Sequence, residues 1–151
     1  MRSRPHLGIV TFGHELHNQR GETVTLNNYA GKKLVLYFYP KDDTPGCTAE
    51  ACSLRDNYEA LLAQGYAILG VSPDKEAKHQ KFIEKYNLPF DLLADTDNAV
   101  ALAYGVWVEK SMYGRKYMGI ARTTFVINEQ GNLTEIIEKV DTKNHASQII
   151  K

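Results

Sequence analysis

The chain has few cysteines: only two, Cys47 and Cys52, occur among its 151 residues. Two cysteines cannot build the dense disulfide framework that stabilises small secreted domains. A chain of this length does not need one, because it is long enough to bury a substantial apolar core. In a reducing compartment both residues stay as thiols, and there they serve either transient redox chemistry or simple core packing.

The chain also lacks an excess of charge, since 18 basic residues balance 18 acidic ones. Without a basic cluster, this balance gives no long-range attraction to nucleic acid, and we expect no nucleic-acid partner. No apolar stretch approaches the ~18 residues that a membrane-spanning helix needs, so we expect no membrane partner. The basic start Met1-Arg2-Ser3-Arg4 precedes only a short apolar run, which is unlike a signal peptide. These features predict a cytoplasmic protein.

Repeats, low-complexity tracts and Pro/Gly-rich linkers are absent as well, which predicts a single domain over residues 1–151. The predicted strands are Thr23–Leu26, Lys33–Tyr39, Ala67–Ser72, Phe90–Ala94 and a closing hairpin of Thr123–Ile127 with Leu133–Val140. The predicted helices are Cys47 to about Gly65, one that starts near Pro73 and contains Phe82, Ile83 and Tyr86, then Asn98–Tyr104 and Asn144–Lys151. Residues 109–119 are predicted to form a loop. The alternation of strands and helices predicts an α/β fold, a central mixed β-sheet flanked by helices.

The segment from Tyr39 to Cys52 carries the most chemical information, because a buried strand runs into a polar loop and the loop runs into a helix. Cys47 stands in the first turn of that helix, where backbone N–H groups are unpaired and the helix dipole is positive. Both features favour a thiolate over a thiol, and hence a nucleophilic cysteine. Two prolines and a glycine restrict the loop, and Thr44 is close enough in sequence to offer a hydroxyl.

The motif Pro40-x-x-x-Thr44-x-x-Cys47 resembles the active-site motif of the peroxiredoxin family. The run from Cys47 to Cys52, Cys-Thr-Ala-Glu-Ala-Cys, resembles the bacterioferritin comigratory protein branch of that family, also called peroxiredoxin Q. The similarity covers residues 20–150 and includes the stretch Gly119-Ile120-Ala121-Arg122-Thr123-Thr124-Phe125. The resemblance is specific, because the motif, the second cysteine and the downstream arginine occur in the family's order. Residues 1–17 depart from the family's usual opening, Gly-x-x-Ala-Pro-x-Phe.

The resemblance implies a thioredoxin-like fold and a thiol peroxidase that reduces hydrogen peroxide and organic hydroperoxides. It implies that Cys47 is the peroxidatic residue, that Thr44 and Arg122 complete its site, and that Pro40 shapes and shields the pocket. Cys52 is then the resolving residue, which closes an intramolecular disulfide with Cys47. The implied reductant is thioredoxin or a similar dithiol. No cofactor and no metal is expected, and a monomer suffices because the disulfide lies within one chain.

Helix geometry sets a mechanical condition on this disulfide. Positions five apart on one α-helix have Cα atoms roughly 8–9 Å apart and project about 140° apart around the axis. A disulfide tolerates at most ~7 Å between Cα atoms. If Cys47 and Cys52 lie on one helix, we therefore expect the turn from Gly46 to Cys52 to unfold before the bridge can close.

Other interpretations of the two cysteines stay open at this point. They could serve a redox-regulated or metal-binding interaction module, with His14-x-x-His17 as further zinc ligands. The spacing from Cys47 to Cys52 is long for a structural zinc site, which usually pairs cysteines more closely. A thioredoxin-type disulfide oxidoreductase is a third candidate, although that chemistry usually uses Cys-x-x-Cys, which the chain lacks.

Several neighbouring residues are expected to be structural. Glu50 is predicted to favour the helix dipole as a carboxylate of the first turn rather than to take part in catalysis. The histidines His6, His79 and His145 are scattered along the chain, and the sequence assigns them no role.

Overall fold

The computed structural model describes residues 16–150. The strands are β1 Leu16–Asn18, β2 Thr23–Val24, β3 Lys33–Phe38, β4 Tyr66–Ser72, β5 Asp91–Ala94, β6 Trp107–Met112, β7 Arg115–Ile120, β8 Thr123–Ile127 and β9 Leu133–Ile137. The helices are α1 Pro45–Asp56, α2 Tyr58–Ala63, α3 Glu76–Tyr86, α4 Ala99–Ala103 and α5 His145–Ile149, and a 3₁₀ helix spans Leu26–Tyr29. None of the helices within residues 16–150 is long and apolar enough to cross a membrane.

Seven strands form one mixed sheet in the order β2-β1-β5-β4-β3-β8-β9, and β6 pairs with β7 in a separate hairpin. The central strand β3 pairs in parallel with β4 and antiparallel with β8. This arrangement confirms the predicted α/β fold with a central mixed sheet.

The side chains of β3 and of the following Tyr39 alternate between two apolar clusters, one on each face of the sheet. On one face Leu34, Leu36 and Phe38 pack with a cluster that includes Val100, Tyr104 and Phe125. On the other face Val35, Tyr37 and Tyr39 pack with a cluster that includes Cys47, Leu54 and Phe82. A strand that is buried on both faces carries a continuous apolar run rather than an alternating pattern. The second cluster is the one that contains the reactive-cysteine candidate.

A glycine in β4 makes room for one of these aromatic side chains. Gly70 lies opposite Tyr37 in the parallel register. A Cβ atom at position 70 would lie 2.9 Å from the Tyr37 hydroxyl and 2.7 Å from Leu92 Cδ2. The absence of a side chain at position 70 therefore lets the Tyr37 ring pack directly against the sheet.

The helix predicted from Cys47 to about Gly65 is wrong in one respect, because it is interrupted at Asn57. The side-chain Nδ2 of Asn57 donates a hydrogen bond to the carbonyl oxygen of Ser53 at 2.8 Å. Asparagine side chains compete in this way with the backbone for hydrogen bonds and favour helix ends. The chain therefore forms two helices, α1 and α2, in place of one.

The loop predicted for residues 109–119 is also wrong, because this segment forms most of the hairpin β6–β7. Its two turn residues, Tyr113 and Gly114, have φ values of 52° and 79°, as a tight hairpin turn requires. Most side chains of the hairpin are partly or fully exposed on both faces. It therefore lacks the apolar alternation that identifies a half-buried strand.

The amino-terminal edge of the sheet also differs from the prediction. The strand β1 was not predicted, and the strand predicted at Thr23–Leu26 is only the two-residue β2 followed by the 3₁₀ helix. Both strands are too short for an alternation of apolar and polar residues to be recognised in the sequence. Residues 1–17, which are predicted to be atypical of the family, lie almost wholly outside the described residues.

Candidate active site

Cys47 is the third residue of α1, after Pro45 and Gly46, and Thr44 occupies the N-cap position without a side-chain capping hydrogen bond. The backbone N–H of Cys47 is therefore among the first four of the helix, which have no partner within it. The side chain is only 2% exposed and belongs to the apolar cluster on its face of the sheet. The predicted placement of Cys47 in the first helical turn is confirmed.

Arg122 reaches this cysteine from the neighbouring strand. It immediately precedes β8, whose first residue Thr123 lies opposite Phe38 at the end of β3. The antiparallel pairing therefore brings Arg122 to the edge of the sheet from which the loop to α1 departs. Its Nη2 donates to Cys47 Sγ at 3.4 Å, which places a guanidinium directly against the sulfur.

Gly46 leaves the space through which the guanidinium approaches. A Cβ atom at position 46 would lie 3.0 Å from Arg122 Nη2. Such a contact is tighter than most Cβ contacts, so the guanidinium would have to shift by about a few tenths of an ångström to accommodate a side chain at position 46. Gly46, directly before Cys47, therefore leaves room for the contact between Arg122 and Cys47.

The position of Glu50 differs from the expectation that it is a carboxylate of the first helical turn. It is the sixth residue of α1, it is fully buried, and the first turn contains no acidic residue. Its Oε1 accepts a hydrogen bond from Arg122 Nη1 at 2.8 Å. Burial raises the pKa of Glu50 to about 7, although the charge of Arg122 opposes the shift. Burial alone would lower the pKa of Arg122, but the charges at Cys47 and Glu50 offset this and the net shift is upward.

His145 also departs from the expectation that it has no role. It is fully buried at the start of α5, and its Nε2 lies 3.4 Å from Glu50 Oε2 and 2.7 Å from Thr124 Oγ1. Burial lowers the pKa of this imidazole. The backbone N–H of Ala146 donates to Ser53 Oγ at 3.1 Å, which joins α5 to α1. The carboxy-terminal helix thus contributes a side chain to the surroundings of the cysteine.

Thr44 and Pro40 lie in the loop that leads to Cys47, and both are partly buried. The hydroxyl of Thr44 donates to the carbonyl oxygen of Lys41 at 2.8 Å, which leaves the oxygen lone pairs free to accept. Pro40 follows Tyr39 at the end of the central strand. Cys52 lies further along α1 and is partly buried, and both cysteines are free thiols.

Two anchors that the sequence did not reveal hold this loop. Asp42 Oδ2 lies 2.6 Å from the buried His79 Nδ1, and its Oδ1 accepts from the Tyr39 hydroxyl at 2.5 Å. The next residue, Asp43, has a φ of 57° and accepts hydrogen bonds from Lys85 Nζ at 2.8 Å and the Tyr86 hydroxyl at 2.9 Å. The loop is therefore fixed to α3, and His79 is a structural partner rather than a residue without a role.

One cluster in the described part of the chain has a geometry that could hold a metal ion: Asp42, Asp74 and His79. Its atoms are already used, because the backbone N–H of Asp42 and Lys78 Nζ donate to the two Asp74 oxygens at 2.7 and 3.0 Å. Neither cysteine belongs to this cluster. The zinc site suggested for the cysteines finds no support in residues 16–150, and His14 lies outside the described residues.

The hairpin that was predicted as a loop brings a second cation towards the sulfur. Burial lowers the pKa of Lys110 on β6, and the positive charge of Arg122 lowers it further, whereas the charge at Cys47 opposes the shift. Lys110 therefore lies within electrostatic range of both residues.

Comparison with known proteins supports the family resemblance found in the sequence. Residues 11–136 match the AhpC/TSA family. Peroxiredoxin Bcp of Bacillus subtilis (strain 168) is 50% identical over 137 residues, which cover 91% of this chain and 87% of that protein. Peroxiredoxin Bcp of Escherichia coli (strain K12) is 43% identical over 135 residues, which cover 89% and 86%. The structure of peroxiredoxin Q from Xanthomonas campestris superposes with a TM-score of 0.88 at 38% identity and covers 96% of this chain and 92% of that one.

These similarities first define the class of protein, which is a thiol peroxidase on a thioredoxin-like fold. More closely, the chain belongs to the AhpC/TSA family, in the branch of the Bcp and peroxiredoxin Q proteins. The predicted family, fold and peroxidase activity are confirmed. The match begins at residue 11, so it includes part of the segment in which no family pattern was recognised.

The raised pKa of Glu50 predicts a pH-dependent contribution to stability. A folded-state pKa of about 7 instead of 4.5 means that the folded protein binds this proton more tightly than the unfolded chain. The contribution of Glu50 to the free energy of unfolding is fully present below pH 4.5 and is lost as the pH rises to about 7. At full effect it amounts to roughly 3 kcal/mol.

Denaturant unfolding of wild type and Glu50→Gln across this pH range measures the contribution. We expect the free energy of unfolding of wild type to fall relative to that of Glu50→Gln as the pH rises through the window. The exposed Glu59→Gln variant serves as the control and should follow wild type. Parallel pH dependences for wild type and Glu50→Gln would show that Glu50 titrates normally.

Proposed function

We propose that Cys47 is the peroxidatic cysteine of this peroxidase, with hydrogen peroxide and organic hydroperoxides as substrates. The contact of 3.4 Å between Arg122 Nη2 and Cys47 Sγ carries the proposal, because it places a fixed positive charge where a thiolate and a peroxide must meet. A solved structure of the Xanthomonas campestris bacterioferritin comigratory protein concerns alkyl peroxide reduction, which supports organic hydroperoxides as a substrate class.

In the proposed step the Cys47 thiolate attacks one peroxide oxygen. An S–O bond forms, the O–O bond breaks, and the cysteine becomes a sulfenic acid while the other oxygen leaves as alkoxide or hydroxide and takes up a proton. Charge develops on the leaving oxygen, where preorganised donors contribute most to the rate. Arg122 supplies two N–H groups, and the Thr44 oxygen can accept from the peroxide O–H. Pro40 limits access of water to the same face.

Cys52 is the proposed resolving residue. Its thiol attacks the sulfenic acid, a Cys47–Cys52 disulfide forms, and water leaves. A dithiol reductant of the thioredoxin type then restores both thiols and is itself oxidised. Because both cysteines belong to one chain, the cycle needs no second subunit, and we propose a monomer. The cycle requires a compartment with a supply of reductant, which agrees with the predicted cytoplasmic location.

The stretch of α1 between the two cysteines has to unfold for this bridge. Both residues lie on the uninterrupted helix Pro45–Asp56, and the separation of positions five apart exceeds what a disulfide spans. Unfolding this stretch breaks the hydrogen bond between Arg122 and Glu50. Resolution is therefore proposed to compete with the contacts that hold the site together for peroxide reduction.

Stopped-flow oxidation of wild type, Cys47→Ser and Cys52→Ser by hydrogen peroxide and an alkyl hydroperoxide tests the assigned roles. We expect Cys47→Ser to be inert, because it lacks the nucleophile. Cys52→Ser should react once with wild-type speed and stop as a sulfenic acid that a dimedone-type reagent traps. A Cys47→Ser variant that still consumes peroxide would reassign the peroxidatic role.

Hydrogen exchange of the oxidised protein tests the local unfolding. We expect amides of residues 48–53 to exchange at least ~10-fold faster in the disulfide form than in reduced protein, because their helical hydrogen bonds are lost. Amides of α3 serve as the internal control and should not change. A disulfide form with the same protection in α1 as reduced protein would contradict the proposal.

A further inference from the structure

The hairpin β6–β7 concentrates the exposed apolar surface of the protein. Six large apolar or aromatic side chains are exposed within residues 16–150, and four of them lie between positions 112 and 118: Met112, Tyr113, Tyr117 and Met118. Tyr113, in the turn, is 98% exposed. The hairpin is a sheet of two strands, separate from the central sheet. Clusters of exposed apolar side chains of this kind mark surfaces that bind another macromolecule.

One face of the hairpin is positively charged. Successive side chains of a strand point to opposite faces, and the strand register pairs Lys110 with Tyr117 and Met112 with Arg115. These four residues therefore share one face, which we call the basic face because it carries two cations and no acidic residue. Met112 is 56% exposed and Tyr117 is 43% exposed, so the cations lie beside accessible apolar surface.

The opposite face of the hairpin has no net charge. It carries Glu109 opposite Met118, and Ser111 opposite Lys116. Glu109 Oε1 lies 3.9 Å from Lys116 Nζ, so the acidic and the basic side chain compensate each other. The net positive charge of the hairpin is therefore concentrated on the basic face.

The basic face leads to the reactive-cysteine candidate. A Cβ atom at position 119 would lie 3.3 Å from Lys110 Cδ, so the stem of Lys110 lies across Gly119. This glycine is two positions beyond Tyr117, the cross-strand neighbour of Lys110, in the direction in which the chain continues to Arg122. Lys110 is within electrostatic range of Arg122 and Cys47. A partner that covers the basic face therefore lies next to the site.

We propose that the basic face, together with Tyr113 in the turn, docks the dithiol reductant of the catalytic cycle, a protein of the thioredoxin type with a negatively charged surface around its thiols. The proposal rests on the peroxidase function proposed above, whose cycle needs this one macromolecular partner. Tyr, Met and Arg, which this surface presents, are the residue types enriched in protein–protein interfaces. An acidic partner complements the two cations, which also steer its approach.

A second copy of this chain fits the same surface less well. A two-fold symmetric contact brings the same patch of both subunits together. Lys110 and Arg115 would then face the same cations of the other subunit, and like charges across an interface are unfavourable. The charge of the basic face thus favours an acidic partner over self-association.

Docking beside the site brings the thiols of the reductant to the proposed Cys47–Cys52 disulfide. One thiolate of the reductant attacks a disulfide sulfur, a mixed disulfide forms, and the other cysteine leaves as a thiolate that takes up a proton. The second thiol of the reductant then attacks the mixed disulfide and releases the remaining cysteine. The reductant ends as a disulfide, and both cysteines of this chain end as thiols.

The rate at which a purified acidic thioredoxin reduces the preformed disulfide tests the docking surface. The second-order rate constant is measured by quenched flow and thiol alkylation at ~0.15 M ionic strength, where distant surface charges are largely screened. We expect Arg115→Glu to lower it roughly fivefold, with a larger loss at lower ionic strength. The double variant Met112→Ser/Tyr117→Ser should lower it roughly tenfold, because it removes the apolar contact area.

Matched substitutions on the opposite face provide the control. Lys116→Glu reverses the same charge and Met118→Ser removes a similar apolar side chain, and both should stay within about twofold of wild type. Dithiothreitol needs no docking surface, so it should reduce the disulfide of every variant at the wild-type rate. Equal losses on both faces, or wild-type rates with thioredoxin for the variants of the basic face, would refute the proposal.

Nuclear magnetic resonance of the reduced, ¹⁵N-labelled wild-type protein measures docking without turnover. On titration with the same thioredoxin we expect the amide signals of residues 110–117 to shift, whereas those of α3 should stay in place. Unchanged signals in the hairpin would refute the docking surface. If peroxide forms no Cys47–Cys52 disulfide, the proposed function fails, and these amide signals still decide whether thioredoxin docks on the hairpin.

Two other occupants of the basic face are separated by further measurements. Analytical ultracentrifugation should show a monomer, and a dimer that Met112→Ser/Tyr117→Ser dissociates would assign the surface to a second copy. Sedimentation with vesicles of phosphatidylserine and phosphatidylcholine should leave the protein in solution. Binding of wild type but not of Arg115→Glu to these vesicles would assign the surface to a membrane. Either of these assignments would overturn the proposal.

Discussion

The guanidinium of Arg122 holds the site together, because it binds two residues of α1 at once. Its Nη2 contacts the Cys47 sulfur at 3.4 Å and its Nη1 contacts Glu50 at 2.8 Å. Cys47 and Glu50 are three positions apart, so a helix presents them on one face. The planar fork of an arginine can satisfy both partners, whereas the compact ammonium of a lysine cannot. The position of the guanidinium depends in turn on the pairing of β8 with β3, and Gly46 leaves room for it.

The short segment around Cys47 combines a loop that is held in place with a helix start that is proposed to unfold. The loop before α1 is tied to α3 through Asp42 and Asp43, which keeps the approach to the cysteine in one conformation. Fixed donors of this kind contribute to catalysis because they need no reorganisation when charge develops. Formation of the proposed disulfide with Cys52, however, would require the first turns of α1 to separate from Arg122. The hydrogen bond between Arg122 and Glu50 therefore stabilises the conformation proposed to reduce peroxide and would oppose the proposed bridge.

The residues of the site that could be predicted from the sequence share one property. Pro40, Thr44, Cys47 and Cys52 lie in one continuous segment, whose pattern predicts a strand, a loop and a helix start, whereas the roles proposed for Pro40, Thr44 and Cys52 came from the family resemblance. Arg122 is distant in sequence and was placed only through the family resemblance. Its contact with the sulfur follows from the strand pairing, which the amino-acid pattern does not specify.

The residues that were missed depend on tertiary packing. Glu50 is chemically an ordinary helix carboxylate, and only the covering of α1 by α5 and the sheet makes it buried. His79 and His145 acquire their partners from segments far away in the chain. The hairpin β6–β7 was missed because both its faces are largely exposed, so no apolar period marks its strands. The seven-stranded sheet was largely predicted, in contrast, because its central strands are buried on both faces and carry unmistakable apolar runs.

The most direct test of the central contact is the rate of Cys47 oxidation by hydrogen peroxide in Arg122→Lys, measured by stopped flow with single turnovers. A lysine keeps the charge but cannot contact the sulfur and Glu50 together. The account predicts a loss of roughly 100-fold, the usual effect of removing one preorganised donor. Arg115→Lys, at an exposed position of β7, should react like wild type. An Arg122→Lys rate within about twofold of wild type would contradict the role assigned to the guanidinium fork.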